Sequence, residues 1–286
     1  MGDLEIPRET FRKPLLPPGN FSTLKSVSVQ FTILGSGSNG NCAYLEYGNT
    51  RVLIDAGFSA KQIRERLAQI GRAPESLSGI LLTHEHTDHT NGLGTLCSKL
   101  AIPIYCNRLT KEAVEIQFKA KFDFRIFSTG ASFELGELGI ETFSVPHDAY
   151  DPVGFLLRAD NCRIGFLTDL GHATKMVMER VRPSTVLVLE TNHDMKLLQD
   201  DLKRPWSVKQ RIMSRHGHLC NDAAANVIEE LLSAELRHVY LGHLSRDCNK
   251  PELAYRTVNE RLSKTGATHV TVCSTSQEER CDTLVI

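Results

Sequence analysis

The amino-acid sequence predicts an α/β fold in which strands and helices interleave along the chain. Two observations support this: apolar runs of strand length recur between about residues 29 and 273, and amphipathic stretches with helical spacing lie between some of them. Hydrophobic residues make up 41% and charged residues 23% of the 286 positions, which excludes a mainly disordered, collagen-like or coiled-coil chain. This length fits one large domain as well as two smaller ones.

The chain begins with a segment, residues 1–28, that we expect to be a poorly ordered arm. It contains four prolines and no clear hydrophobic period. In the first half of the chain after this arm, apolar runs predict strands at residues 29–34, 42–47, 51–54, 79–83 and 102–106. A helix is predicted over 59–71, because Ile63, Leu67 and Ile70 form one apolar stripe before Gly71.

The second half of the chain continues the same alternation. The predicted strands are 139–145, 153–159, 162–168, 185–191, 238–243 and 268–273. A helix is predicted over 222–234, with Asn221 as its N-cap. We find no internal repeat and no low-complexity segment, so the pattern indicates one continuous α/β arrangement.

Charge, hydropathy and cysteine usage exclude several classes of protein. The formal net charge is −1, so any site for a polyanion must be a local patch. No apolar run reaches the roughly 18 residues that a membrane span needs, and the N-terminus lacks the apolar stretch of a secretory signal. The eight cysteines form no C-x-x-C pair, which favours reduced thiols in a cytoplasmic protein.

The glycine-rich segment 35–40 imitates a nucleotide-binding fingerprint. Its Gly-Ser-Gly-Ser-Asn-Gly sequence fits G-x-G-x-x-G after a predicted strand. A dinucleotide site requires a helix next, because the pyrophosphate binds at a helix N-terminus. The residues that follow alternate like a strand, so we interpret the segment as a connection between two strands.

The strongest chemical signal is the segment Thr83-His84-Glu85-His86-Thr87-Asp88-His89, at the end of a predicted buried strand. In extended backbone, alternate side chains share a face, so His84, His86 and Asp88 point the same way. His89 must be brought round by a turn. Neutral imidazole and carboxylate are ligands for zinc, manganese or iron. The segment therefore predicts a metal site, in preference to a solvated histidine-rich turn.

This H-x-H-x-D-H segment resembles the signature of the metallo-β-lactamase superfamily, and the resemblance spans nearly all of residues 29–273. It implies a four-layer αβ/βα sandwich, with 29–286 as a single domain. It also implies that one metal is held by His84, His86 and His147, a second by Asp88, His89 and His243, and that Asp169 bridges them. Asp55 corresponds to a structural aspartate that braces the ligand loop. Considered alone, each downstream residue is also compatible with an ordinary surface position.

Two divalent ions, zinc or manganese, would share one hydroxide and lower its pKa toward neutrality. The same pair of charges would stabilise an in-line displacement at phosphorus. This chemistry serves phosphodiesters, thioesters and lactones, so the metal site alone does not name a substrate.

Two further segments favour phosphodiesters. Glu190 follows a predicted buried strand and His218 precedes a predicted helix. Both resemble positions in the phosphodiesterase branch of the superfamily. The resemblance implies that His218 donates a proton to the leaving oxygen and that Glu190 fixes its tautomer. A capping role for both residues is the alternative. His193 is a candidate contact for substrate phosphate or an ordinary loop histidine.

The stretch 203–215 contains several basic residues and no acidic one. A positive stripe that leads to His218 would attract a polyanion, through residues such as Lys209 and Arg211. Trp206 would stack on a base or a sugar. The alternative is a solvated helix face with a core tryptophan.

Several motifs resemble one bacterial group of the superfamily, the YycJ/WalJ type, described as 5′–3′ DNA exonucleases. They are Gly-Ser-Asn-Gly-Asn at 37–41, Thr-Asn-His-Asp at 191–194, Pro-Trp-Ser-Val-Lys at 205–209, Gly-His-Leu at 217–219 and Leu-Gly-His-Leu-Ser-Arg-Asp at 241–247. From these motifs we add Ser38, Asn39 and Asn192 to the candidate substrate-binding residues.

The leading hypothesis is thus a binuclear metal-dependent phosphodiesterase, a 5′–3′ exonuclease on DNA rather than RNA, with hydroxide between the metals as nucleophile. One alternative is a small-molecule thioester or lactone hydrolase of glyoxalase II type. Another is a non-catalytic nucleic-acid-binding or regulatory protein on a hydrolase scaffold. The oligomeric state is left open by the sequence.

Overall fold

The computed structural model of the protein describes residues 28–286, to which all structural statements below refer. The arm predicted at 1–28 lies outside the described residues, except for its last position. In this range, no helix is long and apolar enough to cross a membrane.

The fold contains two seven-stranded sheets, with strands numbered in chain order. The first sheet is built from β1 (Gln30–Gly35), β2 (Cys42–Tyr47), β3 (Thr50–Ile54), β4 (Gly79–Leu81), β5 (Ile104–Cys106), β6 (Phe124–Ile126) and β14 (Leu284–Val285). Their order across the sheet is β14-β1-β2-β3-β4-β5-β6. Strands β3 to β6 run parallel, whereas β14, β1, β2 and β3 pair antiparallel.

The second sheet repeats this mixed arrangement. It is built from β7 (Ser132–Leu135), β8 (Leu138–Ser144), β9 (Val153–Ala159), β10 (Cys162–Leu167), β11 (Val186–Glu190), β12 (His238–Gly242) and β13 (Thr271–Ser274). Their order is β13-β12-β11-β10-β9-β8-β7. Strands β10 to β13 run parallel, whereas β7 to β10 form antiparallel pairs.

Nine α-helices lie in the described residues. They are α1 (Ala60–Gln69), α2 (Thr87–Thr90), α3 (Leu93–Leu100), α4 (Arg108–Phe118), α5 (Lys175–Val181), α6 (Met195–Asp200), α7 (Trp206–Ile212), α8 (Asn221–Leu231) and α9 (Pro251–Thr265), with a 3₁₀ turn at Pro74–Ser76. Six of them, α1, α3, α4, α5, α8 and α9, pack on the outer faces of the sheets.

Three hydrophobic clusters show how the layers stack. The central cluster contains side chains of both sheets, among them Phe31, Phe155 and Tyr240. A second cluster packs the outer face of the second sheet against α5, α8 and α9. A third packs the outer face of the first sheet against α1, α3 and α4. This is the predicted four-layer αβ/βα sandwich, in which the central cluster is shared by both sheets.

The predicted strands are confirmed, and two of them, β2 and β9, have the predicted bounds. The last strand is corrected from 268–273 to Thr271–Ser274. Thr268 and His269 lie in a turn that follows α9, a helix that the sequence analysis missed and that Gly266 ends in the left-handed conformation. The segment 35–40 does join two antiparallel strands, as predicted.

Replacing Phe155 by alanine tests the central cluster. Phe155 is fully buried between the sheets, so Phe155→Ala should lower the free energy of unfolding by about 3–5 kcal/mol through lost burial and a cavity. Urea unfolding followed by circular dichroism measures the change. Ile116→Ala, at a side chain that is 77% exposed, should change the stability by less than about 0.5 kcal/mol. Equal effects of the two substitutions would contradict the proposed packing.

Candidate metal centre

The H-x-H-x-D-H segment lies at the end of β4 in the first sheet. His84 is buried directly after the strand, and His86 is the N-cap of the short helix α2. This single helical turn carries Asp88 and His89 back toward the side chains that precede it. The turn that the sequence required for His89 is therefore α2.

The downstream candidates come from the second sheet, each after the end of a strand. His147 follows β8, Asp169 follows β10 and His243 follows β12. Asp169 and His243 adopt left-handed backbone conformations, with φ of 56° and 54°. In this conformation the chain leaves the strand sharply, which directs both side chains to the edge where the first sheet also ends.

The structure brings the seven predicted ligands together. Ligand atoms within 4.8 Å of one another form four groups: His84, His86 and His147; Asp88, His89 and His243; His84, His89 and Asp169; and Asp169, Glu190, His218 and His243. The first two groups correspond to the two predicted metal sites. Asp169 belongs to both remaining groups, at the junction between them.

Hydrogen bonds on the outer side fix the tautomers of the histidines from the first sheet. The Thr83 hydroxyl donates to Asp55 at 2.9 Å, so it can only accept from Nδ1–H of His84. Nδ1 of His89 lies 2.7 Å from a carboxylate oxygen of Asp55 and donates to it. In both rings Nδ1 therefore carries the proton, and the lone pair of Nε2 faces the centre.

The histidines from the second sheet are oriented in the same way. Nδ1 of His147 lies 3.2 Å from the Gly217 carbonyl oxygen, which can only accept. Nδ1 of His243 lies 2.9 Å from Oε1 of Glu190. Nε2 of His147 consequently faces inward, 3.4 Å from Nδ1 of His86.

The centre fits divalent cations. Nε2 of His84 is buried and makes no hydrogen bond, which is costly unless another group satisfies it. Oδ2 of Asp169 is buried 3.0 Å from Nε2 of His89. Burial would lower the pKa of His243, but Asp169, Asp88 and Glu190 raise it to about 10. The carboxylates thus stabilise positive charge at the centre of the cluster. Imidazole and carboxylate groups together form a donor set that binds divalent metals.

His218 and Glu190 form the contact that the sequence predicts. Nδ1 of His218 lies 2.6 Å from Oε1 of Glu190, which is fully buried at the end of β11. Burial opposes the charged form of His218, but the Glu190 carboxylate outweighs it and raises the pKa of His218. The other oxygen of Glu190 accepts from the backbone N–H groups of Leu170 and Leu219.

Two residues that hold the ligands were missed by sequence reasoning. The Asn41 side chain contacts Oδ2 of Asp88 at 3.3 Å and Nε2 of His89 at 3.2 Å. Ser36 donates to Asn41 and accepts from the backbone N–H of His243. Both lie in the loop between β1 and β2. The sequence could have indicated them only through the polar residues that stand beside the glycines of this loop.

Three of the predicted substrate-binding residues have buried side chains. Asn192 is buried and donates to the His243 carbonyl oxygen at 2.9 Å. His193 is also buried, and burial lowers its pKa to about 4. Lys209 is buried because its Nζ donates to the Gln199 carbonyl oxygen at 2.7 Å. None of the three side chains presents a charge to solvent, although Asn192 still positions a ligand.

The other predicted substrate residues lie at the surface. Ser38 and Asn39 are exposed at the tip of the β1–β2 loop. Trp206 is 60% exposed at the start of α7, so it is not a core residue. Arg211 forms an ion pair with Asp148, next to His147.

The basic stripe at 203–215 is largely neutralised by acids from other segments. Arg204 pairs with Asp201 and Asp247, and Lys203 also contacts Asp247. The sequence alone does not reveal Asp247 as a partner, because this residue comes from the loop after β12. The stripe is therefore a weaker positive patch than its sequence indicates.

Fold and site define the class of protein: the chain belongs to the β-lactamase superfamily. The family model "Beta-lactamase superfamily domain" matches residues 50–243. This family and the exonuclease relatives described next make the chain a metal-dependent hydrolase, and its histidine and aspartate clusters indicate divalent metal ions as the cofactor.

Within the superfamily, the chain is similar to curated bacterial proteins over most of its length. It is 36% identical over 245 residues to "Exodeoxyribonuclease YycJ" of Bacillus anthracis and 37% identical over 245 residues to "Exodeoxyribonuclease WalJ" of Streptococcus pneumoniae. Each alignment covers 84% of this chain and 91% of the relative. The predicted resemblance to the YycJ/WalJ group is thereby confirmed.

Solved structures support the fold. The metallo-beta-lactamase fold protein YhfI from Bacillus subtilis superposes with a TM-score of 0.66 at 14% identity, over 89% of this chain and 99% of that chain. A diphosphatase from the PhnP family gives a TM-score of 0.63 at 19% identity, over 91% and 98% of the two chains.

Replacing Asp55 by asparagine tests the outer hydrogen bonds. The amide cannot serve as the anionic acceptor for both His89 and Thr83, so Asp55→Asn should lower metal affinity about 10–100-fold. Titration with Zn²⁺ against a competing chelator measures this affinity. Asp123→Asn changes an exposed carboxylate that pairs only with Arg125, and it should leave metal affinity unchanged. An Asp55→Asn protein that is folded and binds zinc as tightly as the wild type would contradict the bracing role.

Proposed function

We propose that the protein is a 5′–3′ exodeoxyribonuclease that hydrolyses phosphodiester bonds at two divalent metal ions, zinc or manganese. The observation that carries this proposal is the position of His218. Its ring centre lies 5.2 Å from those of both His147 and His243, so a proton donor stands beside the metal cluster. The activity in the names of the YycJ and WalJ relatives supports DNA as the substrate. Buried thiols such as Cys42 and Cys97 fit the reducing cytoplasm as its location.

Seven residues would hold the ions: His84, His86 and His147 the first, Asp88, His89 and His243 the second, with Asp169 shared. When bound, the ions supply positive charge that polarises the phosphate and lowers the pKa of water. Asn41 keeps Asp88 and His89 in place, and Asp55 fixes the His89 tautomer.

His218 supplies the proton that the leaving sugar oxygen requires. Its Nδ1–H remains bound to Glu190, so the proton that can be transferred is on Nε2. The Glu190 carboxylate raises the pKa of His218, which favours the protonated ring that a proton donor requires. After transfer the ring is a neutral imidazole in the tautomer that Glu190 already selects. Glu190 is thus a positioning residue for the acid.

The substrate surface would include the exposed loop residues Ser38 and Asn39, close to the ligand-holding Asn41. On the other side, α7 presents Trp206 and Arg211 to solvent. An aromatic ring and a guanidinium group can contact bases and phosphates respectively. These surface contacts would position a strand across the metal cluster.

A nuclease assay with competing substrate classes tests the proposal. Single-stranded DNA, duplex DNA, RNA and a thioester are each supplied with Mn²⁺ or Zn²⁺. We expect release of mononucleotides from 5′-labelled DNA, loss of release on EDTA treatment, and recovery on metal addition. His84→Ala should abolish release, whereas the exposed His172→Ala should not. Thioester turnover without DNA cleavage would favour the small-molecule hydrolase, and DNA binding without any turnover would favour the regulatory protein.

A second experiment isolates the role of His218. His218→Ala should lower kcat on DNA about 10²–10⁴-fold, because the alkoxide leaving group then lacks its proton. A phosphodiester with a p-nitrophenolate leaving group needs no such proton, so its turnover should fall far less. Metal content measured by elemental analysis should match the wild type. Equal losses on both substrates would show that His218 does not act as the acid.

A further inference from the structure

A cavity of about 390 Å³ lies directly beside the metal cluster and shares His147 with it. This volume is in the range of small-ligand sites. Its wall is formed by the loop between β8 and β9, the start of α5 and the segment before His218. The lining side chains that matter for recognition are Tyr150, Met176, Pro146, Pro152 and His216.

Tyr150 is the unusual residue of this cavity. Its side chain is 72% exposed, so the ring gains little from burial and its presence is not explained by packing. Its backbone is nevertheless held firmly, because Tyr150 N–H donates to Oε1 of Glu85 at 2.9 Å. Glu85 lies between His84 and His86, so the position of the tyrosine is tied to the metal-binding segment itself.

The rest of the loop is fixed at several further points. Asn107 donates to the Asp151 carbonyl oxygen at 2.7 Å, and the Thr129 hydroxyl donates to the Asp151 carboxylate at 2.7 Å. Asp148 is paired with Arg211. An exposed aromatic ring on a fixed loop loses little conformational entropy when a ligand covers it.

From this geometry we infer that the cavity holds one nucleobase of the substrate, stacked on Tyr150, in the nucleotide next to the scissile phosphate. The inference rests on the proposed nuclease function and names the part of the substrate that this pocket recognises. The flat ring and the neighbouring Met176 suit the face of a base, which stacks without regard to sequence. Thr174 and His216 at the rim offer polar groups for its edge.

Binding of single-stranded DNA, measured without cleavage, tests the inference. All proteins carry His218→Ala to slow turnover, are loaded with Mn²⁺, and are titrated into a fluorescein-labelled oligonucleotide, with anisotropy read before cleavage becomes measurable. Adding Tyr150→Ala should raise Kd about 10-fold or more, the range expected for one lost base–aromatic stack. Tyr150→Phe should bind like the parent, because the ring is retained. Tyr255→Ala, at a tyrosine on α9 that is 43% exposed, should also bind like the parent.

Abasic oligonucleotides identify the stacked base. When the base is missing at the recognised nucleotide, the parent should lose the same factor in Kd and Tyr150→Ala should cause no further loss. The inference is overturned if Tyr150→Ala binds intact DNA as tightly as the parent, if its effect persists at every abasic position, or if the parent binds no DNA. DNA binding that depends on Tyr150, together with a wild type that releases no nucleotides, would reject the proposed catalysis and leave the base pocket supported.

Discussion

A centre whose ligands are divided between two sheets can form only where both sheets end at the same edge. Two hydrogen bonds hold these ends together. Val153 N–H donates to the Thr83 carbonyl oxygen at 3.0 Å, which joins the start of β9 to the end of β4. His243 N–H donates to the Ser36 hydroxyl at 2.8 Å, which joins the end of β12 to the loop after β1. The central hydrophobic cluster brings the sheets face to face, and these bonds set the alignment of the ligands.

Backbone strain at the strand ends follows from the same constraint. Asp55, Asp169 and His243 all have positive φ angles, between 54° and 61°. Such conformations cost a non-glycine residue of order 1 kcal/mol or more, and they persist where surrounding contacts determine them. Here each residue follows the end of a strand. Asp169 and His243 turn their side chains into the centre, whereas Asp55 turns its carboxylate to Thr83 and to Nδ1 of His89. Close packing of the backbone requires glycine at position 57, since a Cβ atom there would lie 1.6 Å from the Asp88 carbonyl oxygen. The surrounding fold thus maintains strained backbone conformations at the strand ends where the ligands converge.

How much of this could be predicted depends on the range of each interaction. Local spacing is sufficient to predict that His84 and His89 belong to one metal centre, because a strand followed by one turn determines where their side chains point. His147 is placed by resemblance rather than by pattern, since nothing near it in sequence shows which strand ends will meet. Lys209 and Asn192 were assigned to substrate binding from charge and motifs, whereas their burial and their hydrogen bonds to the Gln199 and His243 carbonyl groups are seen only in the folded chain. Residue types therefore indicate the chemistry, while long-range packing decides which of them face substrate.

Glu190 contacts both the proposed proton donor, His218, and the metal ligand His243. Its Oε1 accepts from both His218 and His243, and its Oε2 accepts from two backbone N–H groups. Burial would raise the pKa of this carboxyl group, but the two imidazoles and their hydrogen bonds lower it to about 2, so it stays ionised. One anion therefore fixes the tautomers of a ligand and of a proton donor. Because a displacement of Glu190 would disturb both rings, the geometry of acid and metal is set as one unit.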